Sequence, residues 1–114
     1  AGRRARPTRL KTKPIIARAQ ANLDIDEIIA YYLGESAQQA ALGFIDALEK
    51  AYAHIARSPA TGSLRYAYEL NLPALRFWPL THYPYLVFYR EQPDQIDVWR
   101  VLHSKRDIPS WMAE

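Results

Sequence analysis

Apolar positions recur with two different periods along the chain, and the change of period divides it. Between residues 22 and 33, Ile25, Ile28, Ile29, Tyr32 and Leu33 recur at i, i+3, i+4, i+7 and i+8, the spacing of one helical face, which predicts an amphipathic helix. Asn22 stands where an N-cap belongs, and Asp24, Asp26 and Glu27 follow early in the predicted helix, where its dipole favours anions. Gly34 fits the position just past the helix end, and Ser36 with Gln39 three residues on fits a capping box opening a second helix. That helix carries Ala37, Ala40, Ala41, Phe44, Leu48, Ala51, Tyr52 and Ile55 on one stripe and stops at Ser58-Pro59. The pair forms a helical hairpin, and the small alanines let its two helices approach closely.

Outside the hairpin the residues are β-branched and aromatic. Ile15 to Ala19 predicts a short first strand, and Leu75 to Trp78, Tyr83 to Arg90 and Gln95 to His103 predict three more. Glu91-Gln92-Pro93-Asp94 is short enough to join the last two as an antiparallel hairpin with a four-residue loop. Pro79 and Pro84 restrict the second and third strands to places where a missing donor is harmless. In the last strand Ile96 and Val98 share one face while Trp99, Val101 and His103 share the other, so either both faces are covered or a bulge intervenes. The expected fold is α+β in the order β-α-α-β-β-β, with the helical hairpin packed on a small antiparallel or mixed sheet.

A chain of 114 residues with 49% hydrophobic and 24% charged side chains fits one globular domain. The absence of cysteine excludes a disulfide framework, a thiolate metal site and a cysteine nucleophile. No apolar run approaches the roughly 20 residues of a membrane span, and the N-terminus has no apolar signal region, so no membrane association and a cytoplasmic address are expected.

The net charge of +3 changes meaning when divided. Residues 1–13 hold Arg3, Arg4, Arg6, Arg9, Lys11 and Lys13 with no acid, and the remaining residues, 14–114, are then at −3. Residues 1–13 are expected to be a disordered basic tail, able to meet nucleic acid or an acidic partner but in the plainer reading solvated; residues 14–114 are the folded domain. A slightly acidic body lacks the basic footprint that binding through phosphates requires, a local patch aside.

Several ordered patterns resemble the ParE/RelE family of bacterial toxins. They are Ala21-x-x-Asp24-Ile25-x-Glu27-Ile28-x-x-Tyr31, Phe44-x-x-x-Leu48, Pro59-x-x-Gly62, Leu75-Arg76, Tyr85-Leu86-Val87-Phe88-Tyr89 and Arg100-Val101-Leu102-His103-Ser104-Lys105-Arg106-Asp107. The resemblance covers about residues 15–108. It implies a RelE/ParE-like fold and a growth-inhibiting toxin of a type II toxin–antitoxin system, of the kind that serves plasmid or chromosomal stability. The implied antitoxin is ParD-like with a ribbon-helix-helix N-terminus, and the implied assembly a homodimer or a heterotetramer with it. Within the family, ParE-type members inhibit DNA gyrase by binding, whereas RelE-type members are ribosome-dependent mRNA endonucleases.

Cutting RNA through its own 2′-hydroxyl requires a proton acceptor, cations for the phosphorane and an acid for the leaving oxygen. Arg76, Arg100 and His103 are the residues that could be assembled for that role, and a fold-stabilising role explains His103 equally well. No tyrosine follows His103 in the C-terminal segment, and the body is acidic where a ribosome binder should be basic. Both departures favour the ParE type, a non-enzymatic gyrase inhibitor without cofactor. The alternatives are the RelE-type endonuclease and an inactive antitoxin-binding module. Arg76, Arg90, Arg100, Lys105, Arg106 and Trp111 are the candidates for binding the antitoxin or the target, set against ordinary surface ion pairing. His54 and His82 lack ligand spacing, and no metal is expected.

Overall fold

The structure is a computed structural model that describes residues 12–112. The expected disordered tail, up to residue 11, lies outside the described residues. Lys13, assigned to that tail, belongs to the body: its backbone N–H donates to the Ala56 carbonyl at 3.4 Å, and its ammonium group meets the Glu91 carboxylate at 2.7 Å.

Strand β1 (Ile15–Ala17) leads into helices α1 (Ala19–Gly34) and α2 (Gln38–Arg57). A 3₁₀ turn at Pro59–Thr61 and a short helix α3 (Arg65–Glu69) lead to β2 (Arg76–Pro79), β3 (Tyr85–Glu91) and β4 (Ile96–His103), and helix α4 (Ile108–Met112) follows. The strands form one mixed sheet in the order β1-β4-β3-β2, with β1 parallel to β4 and the other neighbours antiparallel. The α+β reading and its order of elements therefore hold, with α3 and α4 added.

The hairpin covers one face of the sheet. Phe44, Leu48, Ala51 and Ile55 of α2 and Ala21 and Ile28 of α1 pack on Tyr85, Val87, Tyr89, Ile96, Val98 and Val101. The other face carries Leu86, Phe88 and Leu102, and it is closed by Leu75, by Ala67 of α3 and by Ile108 of α4. Both resolutions of the ambiguous β4 pattern occur together. Phe88 faces Arg100 while Tyr89 faces Val98, so Trp99 is the extra residue of a bulge, and the parity change puts Val101 on the same face as Ile96 and Val98.

Local signals at the hairpin ends are corrected. Helix α1 begins at Ala19, directly after β1, because the Arg18 N–H continues the strand ladder to the Val98 carbonyl at 2.9 Å. Asn22 is thus inside the helix, no acid lies in its first turn, and the dipole explanation of Asp24, Asp26 and Glu27 does not apply. Gly34 is the last helical residue, and the left-handed position falls on Ser36 with φ of 57°. An N-cap takes extended backbone, so the Ser36–Gln39 box does not form, and α2 starts without a side-chain cap. The β3–β4 loop moves by one residue to 92–95, closed by a Gln92 N–H to Gln95 carbonyl bond of 2.8 Å.

Two glycines are fixed by tyrosine hydroxyls. The Tyr83 hydroxyl donates to the Ala40 carbonyl at 2.9 Å and lies where a side chain on Gly43 would have to go. The Tyr89 hydroxyl donates to the Pro59 carbonyl at 2.6 Å, accepts from the Gly62 N–H at 3.1 Å and fills the space beside Gly62. Pro59-x-x-Gly62 is therefore a socket for the central tyrosine of β3. Among the described residues no helix is long and apolar enough to cross a membrane.

Candidate functional site between helix α1 and the open edge of β4

Because β1 is only three residues long, it pairs with Ile96 to Val98 and leaves the rest of β4 unpaired on that side. Helix α1 runs along this open stretch. Asp24, 6% exposed, faces it, and its Oδ2 accepts from the Val101 N–H at 3.0 Å, occupying one of the free strand donors. The same carboxylate accepts from Arg100 Nε at 2.8 Å and Nη2 at 2.9 Å, a bidentate pair in which Arg100 is only 7% exposed. Arg100 Nη1 donates to the Trp111 carbonyl at 3.0 Å. One guanidinium thus joins α1, β4 and α4.

Beyond this strut a groove opens between α1 and the end of β4. It is lined by Glu27, Ile28, Tyr31 and Tyr32 from α1, by Tyr85 and His103 from the strands, and by Arg106 and Trp111. Trp111 is 37% exposed, with the Arg106 guanidinium 4.4 Å from its ring. Burial, then the hydrogen bond with Tyr32, pushes the Tyr85 phenol up to about 12. The His103 ring meets Tyr85 edge-on at 5.3 Å, and its Nδ1 accepts from the Lys105 N–H at 3.1 Å. In the neutral ring that bond leaves the proton on Nε2.

The structure divides the residues singled out from the sequence. Arg100, His103, Lys105, Arg106 and Trp111 gather at one end of β4. Arg76 lies toward the opposite end of the sheet: it pairs with Tyr89, whereas His103 pairs with Tyr85, four residues away along β3, a separation of roughly 13 Å at a strand rise of about 3.3 Å per residue. Arg76 Nη1 donates to the Gly62 carbonyl at 2.8 Å, and Arg90 lies at that same end opposite Asp97. Arg76 and Arg100 stand at neighbouring register levels, opposite Tyr89 and Phe88, on strands separated by β3, and Arg100 is a buried strut.

The sequence reading missed Asp24 as the partner of Arg100, and Tyr31, Tyr32 and Tyr85 as groove residues. A signal for Asp24 was present. Ala21, Asp24 and Ile28 are the buried residues of α1, so an acid stands in the apolar stripe, and a buried acid calls for a cation. His54 is accounted for by a parallel stack on Trp78 at 4.0 Å and a 2.8 Å bond to the Thr61 hydroxyl. Among the described residues no cluster of three or more His, Cys, Asp and Glu side chains is placed to hold a metal.

The strip from β1 through the end of β4 that builds this groove is also what sequence comparison recognises. The family model of the ParE toxin of the type II toxin–antitoxin system parDE matches residues 15–108. The chain belongs to the ParE toxin family. Among solved structures it is similar to the chromosomal ParDE toxin–antitoxin system from P. aeruginosa, at 17% identity and a TM-score of 0.68, over 82% of this chain and 98% of that one. At that identity the likeness speaks for the ParE-like fold alone. No curated protein matches the chain.

Proposed function

We propose that this ParE-family chain is a toxin that inhibits DNA gyrase by binding rather than by catalysis, and that a cognate ParD-like antitoxin silences it through the α1–β4 groove. The observation that carries the non-enzymatic reading is the bonding of Arg100. Three of its nitrogens are turned to the Asp24 carboxylate and the Trp111 carbonyl. A phosphorane needs a cation in the place where its charge develops, and this one is buried in the scaffold. The remaining pieces of an RNase site do not assemble around it. Arg76 is turned to the Gly62 carbonyl and stands four register positions from His103. His103 Nδ1 already accepts from the Lys105 N–H, and in the neutral ring this leaves the proton on Nε2, where a general base would present a lone pair.

The groove suits a protein segment. Ile28, Tyr31, Tyr32 and Trp111 supply apolar surface, the β4 edge supplies strand groups, and Arg106 lines the groove with the exposed Lys105 next to it in sequence. Helix-in-groove docking and strand addition both use such features, and the rim cations favour a segment with an acidic side. The antitoxin contacts therefore fall to Lys105, Arg106 and Trp111, while Arg76 and Arg90 face elsewhere.

The test is a gyrase supercoiling assay beside a ribosome-programmed mRNA cleavage assay, run with the same purified toxin. Loss of supercoiling with intact mRNA is expected. Cleaved mRNA with unaffected supercoiling would overturn the reading.

A further inference from the structure

One wall of the groove between α1 and β4 is built of hydrogen-bond donors that cluster about the buried Tyr85. The Tyr85 hydroxyl bonds to that of Tyr32, its ring meets His103 edge-on at 5.3 Å, and the Arg106 charge opposes the upward push on its phenol. The Tyr32 bond raises that phenol, so the protonated form makes it and Tyr85 is the donor. Tyr32 therefore accepts, and its own proton is left to give. In the neutral ring His103 Nε2 carries the proton that Nδ1 lacks, and it has no hydrogen-bond partner among the described residues. The Arg106 guanidinium lies 4.4 Å from the centre of the Trp111 ring and makes no ion pair among the described residues.

The acids on the same groove do not answer these donors. Asp24 is taken up by Arg100 and by the Val101 N–H, and Glu27 is an exposed residue of α1 that pairs with none of the described cations. Beside the donors stand two apolar surfaces open to a ligand, Trp111 and Tyr31, the latter 59% exposed. Neutral donors around a single cation, next to aromatic surface, call for a singly charged acceptor on an apolar stem. A phosphate dianion would leave charge uncompensated beside Asp24 and Glu27, whereas a carboxylate matches the one guanidinium.

We propose that this wall is a carboxylate subsite, in which Tyr32, His103 and Arg106 take the side chain of one Asp or Glu of the antitoxin segment while the apolar residues beside it lie on Tyr31 and Trp111. The inference rests on the groove being where the antitoxin docks. It makes an acid at one position, rather than overall charge, the mark of the cognate segment. Charge-assisted bonds are about twice as strong as neutral ones, and an apolar residue at that position leaves the donors without an acceptor. His103 thereby serves recognition of the antitoxin and not of gyrase.

Titration of the isotopically labelled full chain with hydrocinnamate and with its amide, followed by NMR at neutral pH, tests the proposal. The two probes share an apolar stem and differ in charge. The acid should move the Trp111, His103 and Arg106 signals saturably and bind roughly tenfold more tightly than the amide. His103→Phe and Arg106→Gln should each cut that ratio by roughly twofold or more, and together bring it close to one, while the amide binds as before. A merely structural loss would weaken both probes alike, and Arg106 is exposed, so its variant reads the ratio in an intact fold. Tyr68→Phe, exposed on α3, should keep the ratio. Equal binding of acid and amide, no saturable binding by either, or a ratio unchanged in Arg106→Gln would overturn the subsite. A saturating ParD-like antitoxin should release the acid. Acid that binds with the full ratio and stays bound would overturn the antitoxin as occupant, and with it the groove reading, whereas gyrase left active by the toxin would overturn the target alone.

Discussion

Arg100 and Asp24, 76 residues apart in sequence, are joined by two hydrogen bonds of 2.8 and 2.9 Å inside the fold, and the same carboxylate accepts the Val101 N–H. The bulge at Trp99 places Arg100 at the open edge of β4, next to α1. Position in the fold thus turns a residue with catalytic chemistry into one with an architectural task.

Removing one partner strands the other charge in a site that excludes water. Arg100→Ala and Asp24→Ala should each lower unfolding free energy by about 3–5 kcal/mol, whereas a double replacement by apolar residues of similar volume should cost far less. Urea titration of the single and double variants measures this. Single-variant losses below about 1 kcal/mol, the range of an exposed pair, would show that the strut carries little.

Gly43→Ala should displace the Tyr83 hydroxyl from the Ala40 carbonyl and destabilise by about 1–3 kcal/mol, the usual cost of overpacking. Gly34→Ala is the control. Among the described residues nothing lies near a side chain there and φ is not positive, so alanine at the end of α1 should stabilise by about 0.5–1 kcal/mol. Thermal melts of the two variants should move in opposite directions.

Burial pushes the Tyr52 phenol up to about 12, and its buried hydroxyl has no hydrogen-bond partner among the described residues. The unfolded chain ionises near pH 10 while the folded chain still holds the proton, so stability present below pH 10 is lost as pH rises toward 12, at about 1.4 kcal/mol per unit for this group. Tyr52→Phe should therefore be neutral or stabilising at pH 7 and should make the loss of stability between pH 10 and 12 shallower. An unchanged slope would contradict the assignment.

Antitoxin docking in the groove, as proposed, would involve two kinds of contact. Arg106→Glu, on the rim, should slow association and reduce its salt dependence, whereas Trp111→Ala should mainly speed dissociation. Surface plasmon resonance with an immobilised antitoxin segment reads both rates. Unaltered rates for both variants would move the antitoxin to another face.

The hairpin and all four strands were legible because apolar periodicity follows directly from which faces are buried. The hairpin ends were not, since tertiary pairing of Arg18 with Val98 outweighed the capping signals at Asn22 and Ser36. Helices α3 and α4, five residues each, are too short for a period to register, although Ala67 and Ile108 close the second sheet face. For the site, residue type pointed to Arg76, Arg100 and His103 together. Their separation is set by strand register, and the commitment of Arg100 by a helix residue 76 positions away. Neither is written in local sequence.

Whether the toxin acts by occupancy is tested most directly by titrating it against several fixed concentrations of gyrase in a supercoiling assay. Inhibition by binding predicts that, once the enzyme exceeds the dissociation constant, the toxin needed for half-inhibition rises in proportion to the gyrase present, and that His103→Ala inhibits as well as the parent. Inactivation by toxin far below the gyrase concentration, or a loss of toxicity in His103→Ala accompanied by a loss of mRNA cleavage on ribosomes, would contradict it.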